Sequence, residues 1–157
     1  MSPLIRGLTI ALWLLPIALG LWALVSREQV AFLTFLFLLV LYGEIWIACR
    51  PSHFVVSRGN LEIVFPIWRR RIPMQGVQQI RIISQEMFRQ EFGWAMRIGV
   101  GGLWGGFGWL WTSQRGLLEF YISRVDDLVL IERLTGNSLL ITPENPRQFV
   151  EVFQENR

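Results

Sequence analysis

Residues 8–25, LTIALWLLPIALGLWALV, and residues 30–49, VAFLTFLFLLVLYGEIWIAC, decide how this chain folds. The first stretch has 18 residues and no charge, enough to reach across a hydrocarbon core at the lower end of the helical range. Pro16 lies inside it. Neighbouring helices can satisfy the carbonyl that a proline frees, so Pro16 predicts a kink and not a stop. In the second stretch the only charge is Glu44, near the C-terminal end, with Tyr42 and Trp46 beside it. Rings of that kind favour the membrane–water interface, which places Glu44 near the headgroups. Contact between Glu44 and a partner helix is the other reading of that acid.

Only Ser26, Arg27, Glu28 and Gln29 separate the two stretches. So short a polar link makes them an antiparallel hairpin, about 8–25 and 30–49, within a segment covering residues 1–49. Both are apolar on every side, unlike the one-sided helices of a soluble bundle. Ala18 and Gly20 offer the small-x-small pattern of a leader cleavage site, but the apolar run continues past them and Arg6 is the only preceding positive charge. Arg6 stands before the hairpin and Arg50, Arg58, Arg69, Arg70 and Arg71 follow it, against Arg27 alone in the link. By the positive-inside rule the N-terminus and the C-terminal domain are cytoplasmic, and the chain is an integral, multi-pass membrane protein.

Beyond the hairpin the composition changes. All 15 basic residues are arginine, and 13 of them, against 10 acids, lie in residues 50–157. That mild excess is compatible with an anionic membrane surface. The arginines are interleaved with acids, which argues against nucleic acid as a partner. Cys49 and His53 are the only residues of their kinds, so a disulfide, a cysteine metal cluster and a Ser-His-Asp triad have no material to form from. No metal, no cofactor, no catalytic group and no small-molecule substrate is expected, and the protein reads as not an enzyme.

Residues 50–157 form one soluble domain by length, and their periodicity is that of strands. His53 to Ser57 and Leu61 to Phe65 flank a turn at Arg58-Gly59-Asn60, residue types suited to tight turns. Arg69 to Pro73 is a basic connector or edge strand, and Val77 to Ile83 is a further strand. Residues 84–97 have no clean period. Residues 98–111, IGVGGLWGGFGWLW, are uncharged with six glycines, and read as a glycine-rich strand and turn. Leu117 to Ser123, Leu128 to Arg133 and Ser138 to Thr142 complete the set, with turns at Asp126-Asp127 and Thr135-Gly136-Asn137. Asn145 reads as a helix N-cap, with Pro146 at the first helical position and Gln148 at capping-box spacing. Phe149, Val152 and Phe153 then form one apolar face, giving a helix of about 146–155 that must dock on the sheet.

The stretch GGFGWLWTSQRGLLEFYISRVDDLVLIERLTGNSLLITPENPRQFVEVF, residues 105–153, resembles the bacterial PH-like (pleckstrin-homology-like) domain family, the kind carried behind N-terminal transmembrane helices. The glycine-aromatic run 105–111, the strand 117–122, the turn at Gly136 and the ending Ile141-Thr142-Pro143-Glu144-Asn145-Pro146 with Phe149 carry the likeness. It implies a mostly-β PH-like fold, a bent sheet or partly open barrel of about seven strands capped by the C-terminal α-helix, on which lipid binding, peptide binding and scaffolding all occur. Eukaryotic lipid-binding members use a basic cluster between their first two strands; here that loop is Arg58-Gly59-Asn60, short and with one arginine, a departure from that pattern.

The short link from the hairpin holds the domain near the headgroups, and the candidate contacts with lipid headgroups or the membrane surface are Arg58, Arg69, Arg70 and Arg71, with Trp104 and Trp109 as lipid contacts. Glu44 is the candidate contact with a membrane partner. The aromatic run of Trp94, Trp104, Phe107, Trp109 and Trp111 suits core, lipid or interface. Asp126-Asp127 is turn chemistry, and residues 99–108 lack the Lys-Ser/Thr ending of a phosphate loop. The chain reads as a membrane-tethered accessory or assembly factor that binds protein or lipid headgroups. The alternative is a small structural subunit of a larger membrane complex.

Overall fold

The structure, a computed structural model, describes residues 3–57 and 59–156. Helix α1 spans Pro3–Ser26 and α2 spans Gln29–Glu44. Helix α2 then widens into a π-helical turn, Ile45–Cys49, closed by the Arg50 N–H donating to the Ile45 carbonyl at 3.2 Å. Both helices are long and apolar enough to cross a membrane. They pack through a stripe of small residues on α1, including Pro16, Gly20 and Ala23, against Ala31, Phe35, Leu38 and Tyr42 of α2. A Cβ on Gly20 would stand 3.0 Å from the Phe35 ring, so glycine lets the two backbones approach closely.

Among the described residues, nine strands follow in two sheets. Strands β1 (His53–Ser57), β2 (Asn60–Val64) and β3 (Arg69–Pro73) form an antiparallel meander. The larger sheet holds β4 (Val77–Ile83), β5 (Ala95–Gly101), β6 (Gly106–Thr112), β7 (Gly116–Ile122), β8 (Leu128–Arg133) and β9 (Leu139–Ile141), in the order β4-β8-β9-β7-β6-β5. The pair β7–β9 is parallel and the other pairs are antiparallel. Strands β8 and β9 lie in the middle of this sheet, and Leu128 to Ile131 and all of β9 are buried. Their unbroken aliphatic runs are what burial on both faces demands.

Alternation along the large sheet feeds two cores. On one face Val129, Ile131, Leu139 and Ile141 meet Leu61, Ile63 and Ile72 of the small sheet and Phe149 and Phe153 of α4 (Pro146–Glu155). On the other, Leu110, Leu118, Phe120, Leu130 and Leu140 meet Phe88 and Phe92 of α3 (Gln85–Phe92).

Several expectations need correction. The strands of the described residues number nine, not about seven, because Arg69–Pro73 pairs fully with β2 and residues 98–111 hold parts of two strands, β5 and β6. Residues 84–97, without a period in sequence, contain α3. It is 8 residues long and buries only Phe88 and Phe92, too few for a helical pattern to emerge. Its signals were the Ser84 cap, whose hydroxyl accepts from the Met87 N–H at 3.2 Å, and Gly93 at φ +70°. In α4, Pro146 is at the helix start, but the Asn145 side chain donates to the Gln148 side chain at 3.3 Å and caps no backbone N–H. As expected, Pro16 does not stop helix α1, which continues to Ser26.

Candidate binding surface at the hairpin–domain junction

The link from the π-helical turn to β1 is Arg50, Pro51 and Ser52, which spans at most about 10 Å. Two further ties bind the domain to the hairpin. The first is the turn Gly102-Leu103-Trp104-Gly105 between β5 and β6, closed by the Gly102 N–H donating to the Gly105 carbonyl at 2.9 Å. Thr9 of α1 serves this turn. Its hydroxyl oxygen accepts from the Trp104 N–H at 3.0 Å and lies 2.8 Å from the carbonyl oxygens of both Ile5 and Gly102, its single proton serving one at a time. Gly102 sits at φ +102°, and a Cβ there would lie 2.4 Å from Leu8 Cδ2; only glycine combines that backbone with that approach.

The Trp104 indole enters an aromatic cluster on the hairpin. It stands edge-on to Trp46 at 4.6 Å and to Trp13 at 6.3 Å, and Trp13 meets Tyr42 at 5.3 Å. Trp104 is thus a contact inside the chain, between domain and hairpin. The second tie is Trp68, whose indole N–H donates to the Ala48 carbonyl at 3.2 Å and whose ring stacks on Phe65 at 4.0 Å.

The arginine run 69–71 does not act as one cluster. Alternation on β3 turns Arg70 inward, where it forms a two-pronged ion pair with Glu119 (Nη2 to Oε1, 3.1 Å) and approaches the Tyr121 hydroxyl at 3.5 Å. The hydrogen bond to Glu119 raises the Arg70 pKa above its ordinary value. Arg71 and Arg69 turn outward and share Glu62, at 2.9 and 3.8 Å. Arg58 lies outside the described residues. Glu44 is exposed at the end of α2, with no ion pair among the described residues. Trp109 is 49 % exposed.

Trp109 belongs to a larger surface. In the register of β5, β6 and β7, Met96 faces Trp111 and Leu117 lies beside it, while Ile98 faces Trp109. All five side chains share one sheet face, and all five are exposed. This is the continuation of the face that the small sheet covers further along, left bare where that sheet ends. Strand β5 is also an edge strand. Sequence alternation alone missed this patch, because it marks residues that share a face without showing which part of that face is covered.

A polar cleft of about 440 Å³ lies between the hairpin end, β1 and the loops after β7 and β9. Arg50, His53, Trp104, Ser123, Arg124 and Thr142 line it. Arg50 lies over the Trp46 ring at 4.1 Å, and burial lowers its pKa. Elsewhere Arg81 and Arg115 share Glu91 and Glu132 in a four-residue network joining β4, α3 and β8. Among the described residues no cluster of His, Cys, Asp or Glu could hold a metal ion.

Two sheets sharing a core, with an amphipathic helix closing the chain against it, define a PH-like module. The chain belongs to the bacterial PH domain family, whose model matches residues 52–156. No curated protein and no solved structure matches the chain.

Proposed function

We propose that this protein is a non-catalytic, membrane-tethered PH-like module, an accessory or assembly factor that binds a protein partner or lipid headgroups at the bilayer surface. The observation that carries this reading is the junction: an apolar hairpin joined to a family domain by three residues, a Thr9–turn hydrogen-bond set and an aromatic cluster. The hairpin's wide apolar surface, including Leu14, Leu21, Leu33 and Phe37, is exposed within the chain. Such a surface needs hydrocarbon around it. In this reading the helices span the bilayer, the termini are cytoplasmic, and the domain is fixed close to the headgroups in one orientation.

Protein and lipid binding are the general roles of PH-like domains, as the family match implies. The bare sheet face of Ile98, Trp109 and Trp111 favours a protein partner there, because aromatic side chains supply large contact area at low conformational cost. A photo-crosslinking residue placed at Trp109 in native membranes tests this. We expect one membrane protein to be captured at stoichiometric yield, with no capture from Gln90, which is exposed on α3. Capture must also be abolished by Ile98→Asp. Equal labelling from both positions refutes docking on this face.

The second reading, a structural subunit of a larger membrane complex, is favoured by Glu44, which is exposed on the hairpin. Loss of a co-purifying membrane protein in Glu44→Ala, with no effect of Ile98→Asp, would select it.

A further inference from the structure

Six arginines of the described residues are neutralised by carboxylates. Arg69, Arg70, Arg71, Arg81, Arg115 and Arg133 all pair with Glu62, Glu91, Glu119 or Glu132. Arg50 and Arg124 are among those without such a pair, and these two share one cleft. Arg50 is partly buried, its guanidinium rests on Trp46, and no carboxylate among the described residues lies within ion-pair distance. Arg124 donates to the carbonyls of Pro143 and Glu144, neutral acceptors that leave its charge uncompensated. The only carboxylate in the cleft lining, Glu144, is exposed.

Taking a guanidinium partly out of water without an anion is costly. Burial lowers the Arg50 pKa, the signature of a desolvated cation without a counter-charge. In the lining of the same cleft the Ser123 and Thr142 hydroxyls lie 3.2 Å apart, and the Ser123 N–H donates to Thr142 Oγ1 at 2.8 Å. The cleft thus offers hydroxyl groups and two fixed cations.

We propose that this cleft binds the phosphate of an anionic phospholipid headgroup, with Arg50 and Arg124 as its cations. The proposal rests on the reading that the hairpin spans the bilayer. Its position singles out a lipid over a soluble phosphate. Arg50 directly follows the last apolar turn of the hairpin, and Trp104, which packs against Trp46, forms part of the cleft wall. A phosphate held there leaves its acyl chains beside the aromatic cluster and the helices. Charge-assisted hydrogen bonds of arginine to phosphate are among the stronger polar contacts.

The test uses the full chain in phosphatidylcholine nanodiscs with increasing phosphatidylglycerol, and bound lipid is read by native mass spectrometry after release. We expect wild type to retain phosphatidylglycerol over phosphatidylcholine. Arg50→Gln should weaken that retention roughly tenfold, and Arg124→Gln by a similar factor. Arg89→Gln, exposed on α3 and outside the cleft, should leave it unchanged. Arg124 ties down residues 143–144, so Arg50→Gln, which loses no side-chain hydrogen bond within the described residues, is the variant that separates binding from folding. Equal retention by Arg50→Gln, or no preference between the two lipids, overturns the proposal. Displacement of the lipid by millimolar inorganic phosphate assigns the cleft to a soluble ligand and overturns the lipid. Crosslinking at Trp109 is a separate readout: its failure refutes partner docking and leaves lipid retention standing.

Discussion

The Tyr42 hydroxyl donates to the Leu12 carbonyl at 3.1 Å, and Leu12 is the residue whose helical acceptor Pro16 leaves empty. In an α-helix the N–H of residue 16 would serve the carbonyl of residue 12, and proline has none. A side chain from the partner helix supplies the missing donor. The pairing explains how α1 runs through Pro16, and it makes a buried tyrosine on α2 part of the backbone bonding of α1.

In the membrane reading, Tyr42→Phe should therefore destabilise the hairpin by about 0.6–2 kcal/mol, the range for interhelical hydrogen bonds in membranes. The sharper expectation is coupling. Pro16→Ala restores an N–H to the Leu12 carbonyl, so Tyr42→Phe should cost measurably less in that background. A double-mutant cycle by denaturant titration in bicelles reads this, and additive effects would refute the compensation.

Gly102→Val should loosen the junction. Valine is poorly accommodated at φ +102°, and its Cβ would meet Leu8. Strain of about 1–3 kcal/mol is expected, with faster hydrogen exchange at residues 101–106 and a lower unfolding midpoint. Unchanged exchange there would show that the turn is not bound to α1.

Phe153 is fully buried between α4 and the sheets. Phe153→Ala should destabilise the domain by about 3–5 kcal/mol. Trp109→Ser, on the exposed face, should leave the midpoint nearly unchanged. Equal effects in thermal unfolding of the full chain would contradict the assignment of core and surface.

The Arg81 hydrogen bond, reinforced by the nearby charges of Arg81 and Arg115, holds the Glu91 carboxyl below its ordinary pKa. A pKa depressed in the folded state stabilises the protein above the unfolded value and loses that stabilisation as pH falls through the folded one. Stability contributed by Glu91 should thus be complete at neutral pH and decline below about pH 4.3. Glu91→Gln should flatten the fall of the unfolding midpoint in that range, and an identical acid profile would refute the linkage.

In the membrane reading, single cysteines at Ser26 and at Ser138, each in a Cys49→Ser background, should react from opposite sides of a sealed membrane. Labelling of both from one side would exclude the proposed topology.

Local pattern alone determined the apolar hairpin, the change to strand periodicity after Arg50, the turns at Gly59 and Gly136 and the closing helix with Phe149 and Phe153. Each rests on a signal a few residues long: a charge-free run, an alternation, or a proline and glycine at fixed offsets. The family resemblance was legible in residues 105–153 for the same reason. Helix α3 was not legible, because two buried phenylalanines do not make a period. Nor were the fates of arginines 50, 69, 70, 71 and 124, which are alike in sequence. Tertiary structure decided that Arg70 meets Glu119, 49 residues away, and that Arg71 meets Glu62. It also left Arg50 and Arg124 in a shared cleft with no ion pair to a carboxylate among the described residues. Likewise Trp104 and Trp109 stand in one glycine-aromatic run, yet one packs on the hairpin and the other faces outward. Strand alternation separates the faces of a sheet. Only long-range packing determines which part of a face is covered and which charges meet, because those contacts join residues far apart along the chain.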